Sequence, residues 1–206
     1  MNPYHRYLLP YLLDGVCSVK AIRRQRAKVV PAAAGRVLEI GIGTGLNLAY
    51  YDRLRVSSLS GLEPAPQMHR LAQRRARRAG IELTVLTAEA EAIPAPDASF
   101  DTLVTTFTLC TIPHPEQALR EMRRVLAPGG RLLFCEHGEA ADAGVLKWQR
   151  RLNPVWRPLA GGCHLDRPIP ALLRGAGFKL TELQTLYLPG PRPLTYNYWG
   201  VAEAAR

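Results

Sequence analysis

The 206-residue sequence has no run of the ~20 apolar side chains a helix needs to cross a bilayer. Cysteine is sparse: Cys17, Cys110, Cys135 and Cys163 stand far apart, with no CxxC and no His/Cys spacing of a zinc site. No structural metal is therefore expected. The apolar opening, residues 8–13, is short and broken by Pro10, and a basic run follows it in place of a small-residue cleavage site, so it does not read as a secretory signal. A reduced, cytoplasmic protein is the expectation. Internal repeats and low-complexity linkers are also missing. With 47% hydrophobic and 21% charged residues, the chain has the composition and length to bury one sizeable core.

Acid is in short supply relative to base, 17 Asp and Glu against 27 Lys and Arg, for a net charge of +10. Such a balance raises the possibility of nucleic acid or an anionic membrane surface as partner. The charge sits in two runs. Arg70, Arg74, Arg75, Arg77 and Arg78 have helical spacing with Leu71 and Ala72 turned inward, which reads as a solvated helix face. Lys20, Arg23, Arg24, Arg26 and Lys28 follow the apolar opening, an order that suits an N-terminal helix packed on the domain or lying at a membrane interface. Residues 1–30 are thus expected to form a helical cover and 31–206 the main domain. Aromatic-basic interleaving is missing, so no nucleic-acid partner is expected.

What is present is an alternation of short apolar strands and helices. Strands are expected over residues 37–40, 56–62, 81–86, 100–106 and 131–135. Helices are expected over 46–51, from Met68 to Gly80, and over 115–126, where Leu119, Met122, Val125 and Leu126 recur at helical spacing. This order implies a parallel sheet with helices on both faces. Residues 178–188 and 194–202 then alternate around a Pro-Gly-rich turn, as an antiparallel hairpin does.

The chemistry starts at residues 37–45, VLEIGIGTG: a strand ending in Glu39, then Gly41, Gly43 and Gly45. A dinucleotide-binding turn has its third glycine five residues after the first, where this chain has Leu46; no Gly-Lys-Ser/Thr of a P-loop follows either. A carboxylate beside the turn opposes a phosphate and suits an ammonium group. The ligand expected is a nucleoside carrying an amino-acid tail. Glu63, followed by Pro64, closes the second strand where a ribose diol can be bound; Glu89, with the backbone of Ala90, suits an adenine amine. S-Adenosylmethionine carries all of these groups.

These stretches, with Ser99-Phe100-Asp101 and Arg124-Val125-Leu126-Ala127-Pro128-Gly129-Gly130, resemble the ordered motifs of class I methyltransferases. The resemblance implies a Rossmann-like, doubly wound α/β fold, a seven-stranded, mostly parallel sheet with an antiparallel C-terminal hairpin. It also implies that Thr106 and Phe107 line the methionine end of the cofactor. Phe134-Cys135-Glu136-His137-Gly138, the segment from Trp148 to Trp156, and Gly162-Cys163-His164-Leu165 through Arg167 resemble the methyltransferase-like thiol S-methyltransferases. That implies a small-molecule thiol as acceptor, though related sequences methylate quinones and phospholipid amines. In physical terms Trp148, Leu152, Trp156 and Leu159 can form an apolar lid. His137 or His164 can take a thiol proton, or serve as a structural hydrogen-bonding histidine. Cys163 is a pocket residue that reads as a reactive thiol or a small buried hydrophobe.

Overall fold

The computed structural model describes Tyr4 and residues 8–204. Two helices open the chain, α1 (Leu9–Cys17) and α2 (Lys20–Val29). Among the described residues seven strands follow: β1 (Gly35–Ile40), β2 (Val56–Leu62), β3 (Leu83–Leu86), β4 (Phe100–Thr106), β5 (Leu126–His137), β6 (Phe178–Tyr187) and β7 (Tyr196–Ala204). Between them lie α3 (Pro66–Ala79), α4 (Pro115–Val125), α5 (Ala143–Leu159) and α6 (Ile169–Gly175). The strands form one sheet in the order β3-β2-β1-β4-β5-β7-β6. Neighbours from β3 to β5 pair in parallel, and β7 runs antiparallel to both β5 and β6. The doubly wound sheet with a reversed hairpin is the architecture that the alternation of elements implies.

Period-two side chains divide the core between the two faces of the sheet. Leu38 and Ile40 of β1 and Leu132 and Phe134 of β5 join Leu119 and Met122 of α4 and Leu173 of α6. Val37, Leu133 and Cys135 point the other way, to Val29 of α2 and Ala72 and Ala76 of α3. A sheet buried on both faces needs strands that are apolar throughout, and β1 is buried from Val37 to Ile40, Glu39 included.

Three local expectations need correction. Residues 46–51 form successive tight turns, not a helix: Leu48 N–H donates to the Gly45 carbonyl (3.3 Å) and Tyr50 N–H to that of Asn47 (2.9 Å). Asn47 and Tyr51 both turn their side chains inward to Glu39. β3 starts at Leu83 and not at residue 81, because the Ile81 N–H donates to the Ala76 carbonyl and closes α3. β5 is longer than expected. Its pairing with β4 jumps from Phe100↔Leu126 to Thr102↔Arg131, so the Pro-Gly-Gly stretch is absorbed as an irregularity inside the strand.

β1 and β4 lie side by side although they are not consecutive, and the chain crosses to opposite sides of the sheet from here. Ligands of open α/β sheets bind outside the carboxyl ends of the strands at such a point.

Candidate active site

A cleft of about 400 Å³ opens at these strand ends. Its floor begins with the glycine turn. Gly41 has φ 66°, and a Cβ there would stand 2.3 Å from Thr108 Cγ2. The position therefore admits only glycine, both for its left-handed backbone and for the closeness of the next loop. Gly43 and Thr44 complete the wall. Gly45 does not line this cleft; a Cβ there would meet Leu48 and Ala72, so its role is close packing of the turn on α3.

Glu39 is fully enclosed. Asn47 Nδ2 donates to its Oε1 (2.9 Å) and the Tyr51 hydroxyl to its Oε2 (2.7 Å). Burial pushes its carboxyl up to about 7, against the lowering effect of the Tyr51 hydrogen bond, the nearby Arg26 charge and Asn47. Arg26 reaches into the same group from α2, donating through Nη1 to Asn47 Oδ1 (2.9 Å) and Thr106 Oγ1 (2.6 Å). Its guanidinium also stands 5.1 Å from the Phe107 ring centroid. Phe107 itself has φ 55°, a left-handed backbone that a bulky residue adopts only where its surroundings hold it there.

Glu63 accepts from the backbone N–H groups of Gly43 and Ala65, both at 3.0 Å. Burial raises its carboxyl above the ordinary value despite those two bonds. Pro64, Met68, Ala88, Glu89 and Ala90 continue this end of the cleft. The opposite side is built from α1: Pro10, Leu13, Asp14 and Cys17 face the opening. Asp14 holds α1 in place, accepting from Arg75 Nη1 (2.7 Å) and Nη2 (3.0 Å) and from the Thr44 hydroxyl. Arg75 also donates to the Thr44 carbonyl (2.9 Å). Arg75 is therefore a bonded, half-buried member of the site, unlike Arg70, Arg74, Arg77 and Arg78, which are exposed.

Sequence reasoning thus missed Arg26, Asp14, Arg75 and Tyr51. For Arg26 a signal existed: Ile22, Arg26, Val29 and Val30 share one helical face, which sets the arginine on the buried stripe of α2. The others have partners too distant in sequence for local pattern to show.

The acceptor-side residues are distributed differently from expectation. The Trp148 side chain is exposed and pairs with Arg151, 5.5 Å from its guanidinium carbon. Leu152 and Leu159 are exposed as well, and none of these three lines the cleft. The lid expected from α5 is replaced in space by α1 and Gly161. Neither His137 nor His164 lines the cleft. His137 is buried, its Nδ1 3.8 Å from Cys163 Sγ and its Nε2 without a hydrogen-bond partner. Its neighbour Glu136 is structural: it accepts from Thr105 Oγ1 (2.8 Å) and Thr108 N–H (3.0 Å), pinning the loop after β4. Burial pushes its carboxyl up to about 7. His164 is half-buried and its backbone N–H donates to the Cys110 carbonyl (2.9 Å); burial and nearby Arg167 and Arg157 lower its imidazole pKa. Trp156 is half-buried, with its indole N–H enclosed beside Cys163. Among the described residues no cluster of three or more His, Cys, Asp or Glu is arranged to hold a metal ion.

Comparison with known proteins gives this geometry a context. Residues 38–134 match the family model described as a methyltransferase domain. Thiol S-methyltransferase TMT1B of Homo sapiens is 31% identical over 206 residues, covering 92% of this chain and 82% of the relative. The chain belongs to the class I S-adenosylmethionine-dependent methyltransferases. Its similarity to TMT1B of Rattus norvegicus is 32% over 75% of this chain, and there it spans just under two thirds of the relative, 64%. Demethylmenaquinone methyltransferase of Thermus thermophilus is 37% identical over 63% of the chain and 59% of the relative. A SAM-dependent methyltransferase structure from Thermotoga maritima superposes with a TM-score of 0.66 at 22% identity, over 98% of this chain and all of that one, which speaks to the fold.

The cofactor of this family is S-adenosylmethionine, and the cleft suits it. Arg26 is buried at the cleft wall beside Cys17, and its Nε would suit an anionic group such as the methionyl carboxylate. Glu39, Glu63, Glu89 and Ala90, which the sequence suggested for its ammonium, ribose and adenine, all line this one cleft.

Two outcomes follow. Arg26→Ala weakens S-adenosylmethionine binding by roughly 1.5–3 kcal/mol, the range for a hydrogen bond to a charged group, or on the order of ten- to a hundred-fold in Kd by calorimetry. The two raised carboxyls also set a pH dependence. The folded state holds protons on Glu39 and Glu136 up to about pH 7 that the unfolded chain releases near its ordinary value of 4.5. Their contribution to stability is therefore complete below about pH 4.5 and is lost as pH rises through about 7. Urea unfolding of the ligand-free protein should show stability falling between about pH 4.5 and 7 by up to about 1.4 kcal/mol per pH unit for each group and levelling off above. Glu39→Gln and Glu136→Gln should each flatten that slope.

Proposed function

We propose that this protein transfers the methyl group of S-adenosylmethionine to a small thiol. The observation that carries the reading is the near full-length similarity to TMT1B, 92% of this chain, which reaches past the shared methyltransferase domain of residues 38–134 into α5 and the segment leading to α6. The cleft supports it. Beyond the groups suited to the cofactor, the remaining wall is mostly small or apolar, Pro10, Leu13, Cys17, Thr111, Ile112, Pro113 and Gly161, and its acid, Asp14, is engaged by Arg75 and Thr44. Such a wall accommodates a compact apolar acceptor and excludes water around it. α1 and α2, the described part of the N-terminal segment, act in this reading as the cover over the site; residues 1–3 and 5–7 of the expected cover lie outside the described residues.

The bound cofactor supplies an electrophilic methyl group on a sulfonium. The chain's part is to align, enclose and desolvate: Arg26, Glu39 and Glu63 fix the donor, and α1 with the 111–113 loop confines the acceptor. Orientation of two reactants in one enclosure is worth several kcal/mol of barrier, and excluding water sharpens the attack of an anionic sulfur. Asp14, the acid on this wall, is held below the ordinary carboxylate range chiefly by its Arg75 hydrogen bond and is too weak a base for a thiol, so the thiol arrives as its thiolate. His137, one layer behind Cys163, positions the wall and does not take the acceptor's proton.

A second reading has a specific observation behind it. Leu8, Tyr11, Leu12 and Val16 of the α1 region are exposed apolar side chains, next to the basic Lys20, Arg23 and Arg24. That combination suits contact with an anionic bilayer edge and a lipid-borne acceptor such as a quinol or a phospholipid amine. Among the described residues no helix is long and apolar enough to cross a membrane.

The deciding experiment is transfer of labelled methyl from S-adenosylmethionine to a panel of alkyl and aryl thiols, a quinol, phosphatidylethanolamine vesicles and tRNA. Transfer to thiols is expected, with kcat/KM rising about ten-fold per pH unit up to the acceptor's own pKa, near ~8.5 for a simple thiol. His137→Asn should leave that profile in place. Activity confined to the quinol or the vesicles would overturn the thiol reading in favour of the lipid one. A profile that flattens below neutral pH and becomes steep in His137→Asn would return that histidine to the role of base.

A further inference from the structure

Behind the acceptor wall two thiols face each other. Cys163 Sγ lies 3.7 Å from Cys110 Sγ and 3.8 Å from His137 Nδ1. They come from distant parts of the chain, Cys110 from the loop after β4 and Cys163 from the segment after α5, and the backbone holds them in register. The His164 N–H donates to the Cys110 carbonyl (2.9 Å), and Arg167 Nη2 donates to the carbonyls of Cys110 (3.3 Å) and Ile112 (3.1 Å). Asn153 of α5 grips the same segment, accepting from Leu165 N–H (2.9 Å) and donating to Asp166. The sulfurs need to close by less than about 2 Å to reach the disulfide length of ~2.05 Å.

The two are unequal. Cys110 is buried, and its hydrogen bond to Cys163, followed by burial, keeps its proton on. Cys163 is partly buried, less so than Cys110, and the Cys110 hydrogen bond, with further contributions from His137 and Trp156, draws its thiol below the ordinary range in spite of burial. The other cysteines are moved the opposite way by burial: Cys17 is raised and Cys135 is pushed up to about 12. Gly161, two residues from Cys163, and Thr111, next to Cys110 in sequence, line the cleft, so the pair lies directly behind that wall.

We propose that Cys163 and Cys110 form a second reactive centre, in which Cys163 reduces a hydroperoxide and Cys110 closes a disulfide onto it. Cys163 Sγ, as the thiolate, attacks one oxygen of hydrogen peroxide; the O–O bond breaks, hydroxide leaves and is protonated to water, and Cys163 becomes a sulfenic acid. Cys110 Sγ then attacks that sulfur, the S–O bond breaks, and the hydroxyl departs as a second water with the Cys110 proton. Two thiols lose two electrons, and one peroxide becomes two waters. The new bond ties the loop bearing Thr108, Thr111 and Ile112 to the segment bearing Gly161, across the wall of the cleft. This centre is independent of which acceptor is methylated.

The test exposes the full-length protein to a small excess of hydrogen peroxide, blocks remaining thiols under denaturing conditions and maps the peptides by mass spectrometry. The expected product is a Cys110–Cys163 link, reversed by dithiothreitol, with Cys17 and Cys135 recovered as free thiols. Cys163→Ser should abolish the link. Cys110→Ser should stop at a sulfenic acid on Cys163 that dimedone traps. Recovery of Cys163 as a free thiol, or first oxidation at Cys17, overturns the proposal. Because either variant could misfold, the unmodified protein carries its own check in its rate of labelling by iodoacetamide. At pH 6 Cys163 should label on the order of ten-fold faster than free cysteine; a rate equal to or below that of free cysteine also overturns the proposal.

Discussion

A carboxylate sealed inside the sheet organises most of what surrounds the cleft. Glu39 stands at the end of β1, where the chain's crossovers diverge and two neighbouring strands leave room for a ligand. Buried charge must be paired and hydrogen-bonded, and the fold meets that demand with Asn47, Tyr51 and, through Asn47, Arg26. Those demands propagate outward. Residues 46–51 form turns that deliver Asn47 and Tyr51. α2 packs where Arg26 reaches Thr106 at the end of β4, and Phe107 is held in a left-handed backbone beside it. The cleft is thus the outer surface of a hydrogen-bonded group whose centre is a single acid.

The sheet and the cofactor end of the site were legible in the sequence because their determinants are local. A strand buried on both faces is apolar residue after residue, a glycine at positive φ leaves a glycine in the text, and an acid at a strand end is readable from the strand alone. Gly41, Glu39 and Glu63 belong to this class. Arg26, Asp14 and Arg75 do not, since each acts across the fold: Asp14 meets Arg75 from 61 positions away, and Arg26 meets Thr106 from 80. Helical spacing also reveals that a face exists without saying what it faces. Trp148, Leu152 and Leu159 share such a face, and it points to solvent, whereas the cleft is walled by α1. His137 illustrates the remaining gap: a histidine at a strand's carboxyl end can face the ligand or the layer behind it, and here it faces Cys163.

Glu136 and His137 show how one strand end serves two layers. Glu136 binds the loop after β4 through backbone N–H groups and sets the positions of Thr108 and the residues after it. His137, the next residue, alternates to the other side and meets the sulfur pair. The acceptor wall therefore rests on polar groups that do not themselves reach the cleft. Chemistry on a common fold is set by such local construction, and the unlike acceptors named for the relatives of this chain are consistent with a wall that varies over a fixed cofactor floor.

The clasp of Asp14 on Arg75 and Thr44 has a thermodynamic meaning. It ties α1, which walls one side of the cleft, to the glycine turn on its floor and to α3. An ion pair that is only half-buried contributes little alone, so α1 is held by a small network and not by one strong bond. Its attachment therefore weakens with ionic strength more than the packing of the sheet does.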